Sequence, residues 1–377
     1  MDRKEFTSPN GSLEEIGDGR LAFVPRRLPP SINLDRELVG LAVVAERNVA
    51  RLGGIGEALA DPRPLVRAHL KAEAVHSSRI EGTAASLGDL DRSEVAGEPE
   101  EAEEIRLREV ANCARAQDAA LERVGAGGRI GTGLVLGAHR EIMTGVRGGD
   151  RTPGRLRDVQ NWIVSGRRIV YTPPPPDRVP GLLADLEEFV GKEHDISPLV
   201  KCAVAHYQFE AIHPFRDGNG RTGRLLLPLI LREAGLMPVP LLYLSAYFEE
   251  NLPRYYGGLL AVSQRGDWEG WISFFLEAFA ARACSTIRSI GRMREIHRGY
   301  RVLLERRGAG ARPVRLAGCL VENPFVTIPR AQSYLGTSYP TARNAVQALL
   351  DAGILEAIGQ VRGKKAYRAP EMAAVLG

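Results

Sequence analysis

Apolar residues recur every three to four positions through most of this 377-residue chain, the spacing of amphipathic helices. The first such stretches are residues 35–60 and 64–80. The second carries Leu65, Val66, Leu70 and Val75 on one side, and Gly82 stands where a helix would stop. Residues 1–34 are polar, hold Pro25, Pro29 and Pro30, and read as an irregular arm around a body. From 105 to 290 the pattern is helical with one interruption. There QNWIVSGRRIVYTPPPP (160–176) sets β-branched and aromatic residues around Ser165-Gly166, which predicts a short hairpin and then a rigid proline segment. Helical spacing resumes at Val179, with Leu182, Leu183, Leu186 and Phe189 on one face.

The C-terminal pattern differs. Residues 324–352 predict helix, turn and helix, with the turn at Leu335-Gly336-Thr337-Ser338 and Ala345, Val346, Leu349 and Leu350 pointing inward. Residues 354–369 predict two strands around Arg362-Gly363-Lys364-Lys365, which completes a winged-helix pattern. RRGAGARP (306–313) is the linker. The expected fold is mainly α, with one short β-hairpin and a C-terminal winged helix of α+β type. The expected units are 1–104, 105–290, a helix end and linker at 291–313, and 314–377.

Composition narrows the class. Hydrophobic residues at 44% and charged residues at 25% are ordinary for a soluble globular protein and exclude collagen-like, coiled-coil or mainly disordered chains. The N-terminal MDRKEFTSPNGSLEEIG lacks the apolar stretch of a secretory signal. Apolar runs such as LLLPLIL (225–231) fall well short of the ~20 residues that span a bilayer. Cys113, Cys202, Cys284 and Cys319 are scattered, without zinc or disulfide spacing. A cytoplasmic protein with no membrane partner is expected. EVAGEPEEAEE (94–104) reads as a solvated acidic connection or helix start. From 286 onward 15 basic residues face six acidic ones, a net +9, whereas the rest of the chain is −5. A basic tail on an acidic body points to a second function or a separate partner surface.

The chemistry is concentrated in HPFRDGNGRTGR (213–224). A helix with Leu199, Ala203, Val204 and Tyr207 inward leads into it, and Pro214 disfavours helical geometry at His213. A second, almost wholly apolar helix follows the glycines. Loop amides at the N-terminus of a buried helix form an anion site. Gly218 and Gly220 permit positive φ and close approach of a phosphate. Asn219 offers a side-chain donor, and Arg221 and Arg224 can each grip phosphate oxygens. Asp217 is a hard oxygen ligand suited to Mg²⁺. His213 has the intrinsic pKa to take a proton from an attacking hydroxyl. The Walker phosphate loop is absent, since no GxxxxGK[ST] follows a strand here.

This stretch resembles the motif of the Fic family, HPFx[D/E]GNGRxxR, at every defined position. HSSRIEGT (76–83), PGRLRDVQNWI (153–163), the prolines after the hairpin, NLPRYYGGLL and GDWEGWISFFL (within 251–276) extend the resemblance over nearly the whole chain. It is to Fic proteins with an added N-terminal region and a C-terminal helix-turn-helix. The resemblance implies a Fic helical core whose hairpin is a flap. The implied activity is protein adenylyl transfer, in which AMP moves from ATP to a Ser, Thr or Tyr hydroxyl of an unidentified target protein, itself included. In it His213 is the base and Asp217 holds Mg²⁺. Gly218, Asn219, Gly220, Arg221, Thr222, Gly223 and Arg224 surround the phosphates, with Arg221 on the β and Arg224 on the γ phosphate. Phosphorylating relatives differ at the GNG glycine and the following arginine, so Gly218, Gly220 and Arg221 favour nucleotidyl transfer.

Further roles follow from the same resemblance. Tyr255 and Tyr256 fall where relatives line the adenine pocket, the alternative being plain core aromatics. The flap residues Ser165, Gly166, Arg167 and Val170 would dock a target by main-chain pairing. Ser77, Glu81 and Gly82 match the family's inhibitory motif, [S/T]xxxE[G/N]. Ser77 and Glu81 share one helix face, and the carboxylate can pair with Arg224 at the γ-phosphate position. Two alternatives stay open: removal of AMP by the same site with Glu81, and a nucleotide-sensing regulator that binds DNA through the winged helix. A homodimer is a further expected partnership.

Overall fold

Asp35 opens the first helix by accepting from Leu38 N–H at 2.8 Å, and this cap fixes where the N-terminal segment ends. In the computed structural model every residue is described except 2, 34, 97–100, 150, 362 and 377. The acidic connection therefore lies partly, and the wing residue Arg362 wholly, outside the described residues.

In chain order, a hairpin of β1 (Gly11–Glu15) and β2 (Leu21–Pro25) precedes α1 (Arg36–Glu57), α2 (Arg63–Ile80), α3 (Leu87–Ala96), α4 (Glu101–Gly125) and α5 (Thr132–Met143). A second hairpin, β3 (Ile163–Ser165) and β4 (Arg168–Tyr171), leads to α6 (Val179–Gly191), α7 (Pro198–Ile212), α8 (Asn219–Glu233), α9 (Ser245–Glu250), α10 (Leu252–Arg265) and α11 (Trp268–Arg306). The chain closes with α12 (Ala311–Cys319), β5 (Phe325–Thr327), α13 (Ile328–Leu335), α14 (Tyr339–Asp351), β6 (Glu356–Val361), β7 (Lys364–Arg368) and α15 (Pro370–Leu376). The protein is mainly helical, as its apolar spacing predicts. Among the described residues no helix is long and apolar enough to cross a membrane.

α7 and α8 are the centre of the body. Both are buried around most of their circumference, from Leu199 to Ile212 and from Asn219 to Leu231. Ser197 caps α7 by accepting from Leu199 N–H, with Pro198 in the first turn where its missing N–H costs nothing. α2, α4, α5, α6, α10 and α11 pack on this pair, and the connection between the two helices shares a cavity with the β3–β4 hairpin. α11 runs unbroken across residue 290, and only Arg307–Gly310 separate it from α12.

The N-terminal segment is not the irregular arm its polar composition suggests. β1 and β2 pair antiparallel from Gly11↔Pro25 to Glu15↔Leu21. Apolar residues in β2 explain the difference. Phe23 is buried and, with Phe6 and Tyr171, makes a ring cluster with centroids 5.9–6.4 Å apart. Phe23 N–H also donates to Thr172 O at 2.9 Å, which joins this hairpin to the base of the second one.

At the C-terminus β7 lies between β5 and β6, antiparallel to both, behind the α13–α14 pair. Gly336 makes the turn between those helices with φ +62°. The unit is seated on α3: Asn323 Nδ2 donates to Asp91 O (3.2 Å) and Glu94 Oε2 (3.1 Å), and Thr327 Oγ1 donates to Val95 O (3.3 Å).

Candidate active site

α7 ends on His213, whose N–H still closes a bond to Phe209 O at 3.0 Å while its backbone turns left-handed (φ 51°, ψ 61°). Pro214 stops the helix as expected, and His213 lines a cavity at this turn. Such a backbone costs a non-glycine residue roughly 1–2 kcal/mol, so the surroundings must hold it. Gly218 turns the chain back with φ +75°, and α8 starts at Asn219. A Cβ at 218 would also fall 2.6 Å from Met143 Sδ.

Gly220 plays a different part from the expected one. It lies inside the first turn of α8 without a positive φ. Its need is space, since a Cβ there would lie 2.2 Å from Glu81 Oε1 and 2.8 Å from Arg224 Nη1. Gly223 likewise makes room for Glu210, whose Oε1 would lie 2.3 Å from a Cβ. Two other motif side chains brace the loop. Asn219 Oδ1 accepts from Phe215 N–H at 2.8 Å and one N–H of its Nδ2 donates to Phe215 O at 2.9 Å, which fixes the amide in the loop and leaves its second N–H as a donor. Thr222 Oγ1 donates to Gly218 O at 2.9 Å.

What remains at the foot of α8 is a set of unspent donors. The first-turn amides have no intrahelical acceptor by construction. Arg221 is 6% exposed, yet among the described residues its Nε and Nη1 have no hydrogen-bond partner and its Nη2 meets only Met143 Sδ at 3.3 Å. Buried guanidinium N–H groups without an acceptor are costly, and an anion would satisfy them. Arg224 is buried too, and its Nε and Nη2 are engaged. Its Nε donates to Ser77 Oγ (2.9 Å), and its Nη2 donates to Ser77 O (2.8 Å) and Glu81 Oε1 (2.8 Å). Burial would lower the pKa of Arg224, but the facing Glu81 and Glu210 raise it, so it stays charged. Burial pushes the Glu81 carboxyl up, and the charge and hydrogen bond of Arg224 outweigh this, leaving it below its usual value. Gly82 ends α2 with φ +85° directly after Glu81.

Burial first, and the neighbouring Arg157 cation second, hold the His213 imidazole at about 4, so the ring is neutral at physiological pH. Asp217 has one carboxylate oxygen on Gly218 N–H (2.7 Å) and the other 3.5 Å from Arg151 Nη1. It is partly exposed. Among the described residues no group of three or more His, Cys, Asp or Glu could hold a metal by itself.

Three contributors escape sequence reasoning. His139 stacks on Phe215 with ring centroids 3.7 Å apart. Its Nδ1 accepts from Gly154 N–H at 2.9 Å, so Nε2 carries the proton and donates to Asp217 O at 2.9 Å. Burial keeps this ring neutral, with a pKa of about 4. Arg157 is buried against the carbonyl of His213. Glu210, one turn before His213, is raised to about 8 by burial and by the Glu81 charge.

A cavity of about 690 Å³ opens beside these groups, within the range of small-molecule sites. Glu81, Glu210, His213, Gly220, Arg224, Tyr255 and Leu260 line it, together with Trp162 to Ser165, Val170 and Tyr171 of the hairpin. Tyr255 is a core aromatic as well as a lining residue: it is 1% exposed and its hydroxyl meets His206 Nε2 at 2.7 Å. Tyr256 is 46% exposed at the cavity rim. Ser165, Gly166 and Arg167 are the exposed hairpin tip, and Val170 sits at an irregularity in the register.

The Fic/DOC family model matches residues 130–231, and the Fic/DOC N-terminal model matches residues 39–122. The chain is 34% identical over 165 residues to a protein adenylyltransferase of Caenorhabditis elegans, covering 42% of this chain and 28% of that protein. It is 46% identical over 69 residues to a probable protein adenylyltransferase of Aquifex aeolicus, covering 18% of this chain and 22% of that protein. The matched segments thus span about a quarter of the length of these relatives. Among solved structures, a Fic family protein of Desulfovibrio desulfuricans superposes with a TM-score of 0.59 at 25% identity, covering 91% of this chain and 98% of that one. The C. elegans protein superposes at 0.53 with 24% identity over 68% of this chain and 74% of that one.

Proposed function

The chain is a Fic protein, with a Fic/DOC domain at 130–231 behind the family's N-terminal module at 39–122, and from that premise we propose that it is a protein adenylyltransferase. The observation that carries the reading is Arg221, a buried guanidinium in the first turn of α8 whose Nε and Nη1 have no hydrogen-bond partner among the described residues, on the same loop-to-helix segment as the neutral His213 imidazole. That pairing suits an anionic substrate and a hydroxyl nucleophile.

In the proposed reaction the first-turn amides of α8 and Arg221 bind ATP phosphates. His213 takes the proton of a Ser, Thr or Tyr hydroxyl of the target, this chain included. The hydroxyl oxygen bonds to the α phosphorus, the bond to the bridging oxygen breaks, and pyrophosphate leaves. Asp217 would hold Mg²⁺, which when bound neutralises phosphate charge. The exposed tip Ser165, Gly166 and Arg167 would seat the target backbone. Glu81, by occupying Arg224, would act as a brake on the γ-phosphate subsite.

The test is intact-mass spectrometry of the Glu81→Gly variant after incubation with ATP and Mg²⁺. A gain of one adenylyl group on the chain or an added lysate protein supports the reading. No gain under any condition opposes it.

We read residues 314–377 as a winged helix that contacts duplex DNA. The exposed side of α14 presents Tyr339, Arg343, Asn344 and Gln347, and Lys364 and Lys365 are exposed on the adjoining hairpin. These are groups that contact base edges and phosphates. Binding that weakens steeply with salt and is lost in Arg343→Ala/Lys365→Ala is the expected result; no binding at low salt opposes it.

A further inference from the structure

Arg157 is 2% exposed and, among the described residues, forms no carboxylate ion pair; all its hydrogen bonds go to main-chain carbonyls. Nε donates to His213 O at 2.8 Å and Nη2 to Ile212 O at 3.3 Å, both at the end of α7. Nη2 also donates to Pro174 O, and Nη1 to Val159 O at 3.2 Å. Its backbone N–H donates to Pro214 O at 2.9 Å. Val159 precedes the β3–β4 hairpin and Pro174 follows it.

We propose that Arg157 is a positioning residue for the transfer, one planar cation that fastens the base of the β3–β4 hairpin to the backbone of His213. The inference rests on the reading of His213 as the base and of the hairpin as the target seat. Three arguments support it. The last carbonyls of α7 are the negative end of its dipole, so a cation is favoured there over a neutral donor. The left-handed conformation of His213 needs an external hold, and the two peptides that flank it, at 212 and 213, receive one from Nη2 and Nε. The flat fork of Arg157 reaches carbonyls on both sides at once through three nitrogens, whereas a lysine would gather its three donors on one atom and span less. The bonds join the two parts of the site that must stay in register, the group that takes the proton and the strands that present the hydroxyl.

The experiment compares Arg157→Lys and Arg157→Met in the Glu81→Gly background. Three readouts are taken: ATP affinity, single-turnover transfer, and hydrogen exchange of the 163–171 and 213–218 amides. Transfer is expected to fall about a hundredfold in Arg157→Met, the scale of a loss of alignment. A smaller loss is expected in Arg157→Lys, with ATP affinity held within about threefold in both. Exchange at the hairpin and the catalytic loop should rise together while remote helices keep their protection. Unchanged transfer, a loss of transfer matched by a loss of ATP affinity, or unaltered exchange at 163–171 would overturn the proposal. If Arg157→Met does not fold, Arg157→Lys decides by the same readouts. If the parent transfers nothing, the enzymatic reading fails on its own, and hydrogen exchange still decides whether Arg157 ties the two segments.

Discussion

The Glu81 carboxylate occupies the space a side chain at Gly220 would take: its Oε1 lies 2.2 Å from the Cβ position there and accepts from Arg224 Nη2 at 2.8 Å. Two residues 139 apart in sequence thus meet over the first turn of α8, the place where a phosphate would bind. Removing the carboxylate frees Arg224 for an anion. A hydrogen bond to a charged group contributes about 1.5–3 kcal/mol, so Glu81→Gly should raise the initial rate of AMP incorporation about 10- to 100-fold over wild type. An unchanged rate would contradict the brake.

Gly220→Ala is expected to behave differently. Its methyl would displace Glu81 but would also sit 2.8 Å from Arg224 Nη1, inside the cradle. Transfer should stay low both in this variant and in Gly220→Ala/Glu81→Gly, measured by the same incorporation assay. A single variant as fast as Glu81→Gly would show that Gly220 serves only to seat the carboxylate.

Stability should fall in mild acid. Burial holds His69, His139 and His213 at about 4 and His206 at about 3, against roughly 6.5 in the unfolded chain. Above about pH 6.5 these rings are neutral in both states. As pH falls below that, the unfolded chain gains protons the folded one refuses, and stability is lost progressively down to about pH 4. Thermal melts from pH 8 to 4 should show this decline, with a shallower slope in His139→Gln. Glu210, raised to about 8, and Asp91, raised to about 6, act in the opposite sense, so the decline is the net of four rings against two carboxyls, and an unchanged slope in His139→Gln would contradict the part assigned to that ring.

His139→Ala removes a stacked ring, the bond to Asp217 O and the acceptor for Gly154 N–H. The expected cost is about 2–4 kcal/mol in urea unfolding. A loss below about 1 kcal/mol would mean that the loop is held without it.

The parts of this site that are legible in the sequence are those that lie close together in it. His213 to Arg224 form one turn and one helix start, so residue type and spacing are enough. Ser77 and Glu81 are legible because four residues make one helical turn, but that they meet Arg224 depends on how α2 packs on α8. His139 and Arg157 act across 78 and 56 residues on main-chain carbonyls, which no side-chain pattern records. Asn219 has a donor of the right kind, and its clamp on Phe215 four residues back, which orients that amide, is visible only in the structure. The β1–β2 hairpin hides behind a polar, proline-bearing composition because its few apolar residues pack on Tyr171, far away in sequence.

The most direct test labels ATP at the α or the γ phosphate and follows transfer to protein by wild type, Glu81→Gly and His213→Ala. The expected result is label from the α position alone, stronger in Glu81→Gly and absent in His213→Ala. Label from the γ position, or undiminished α label in His213→Ala, would contradict adenylyl transfer with His213 as the base.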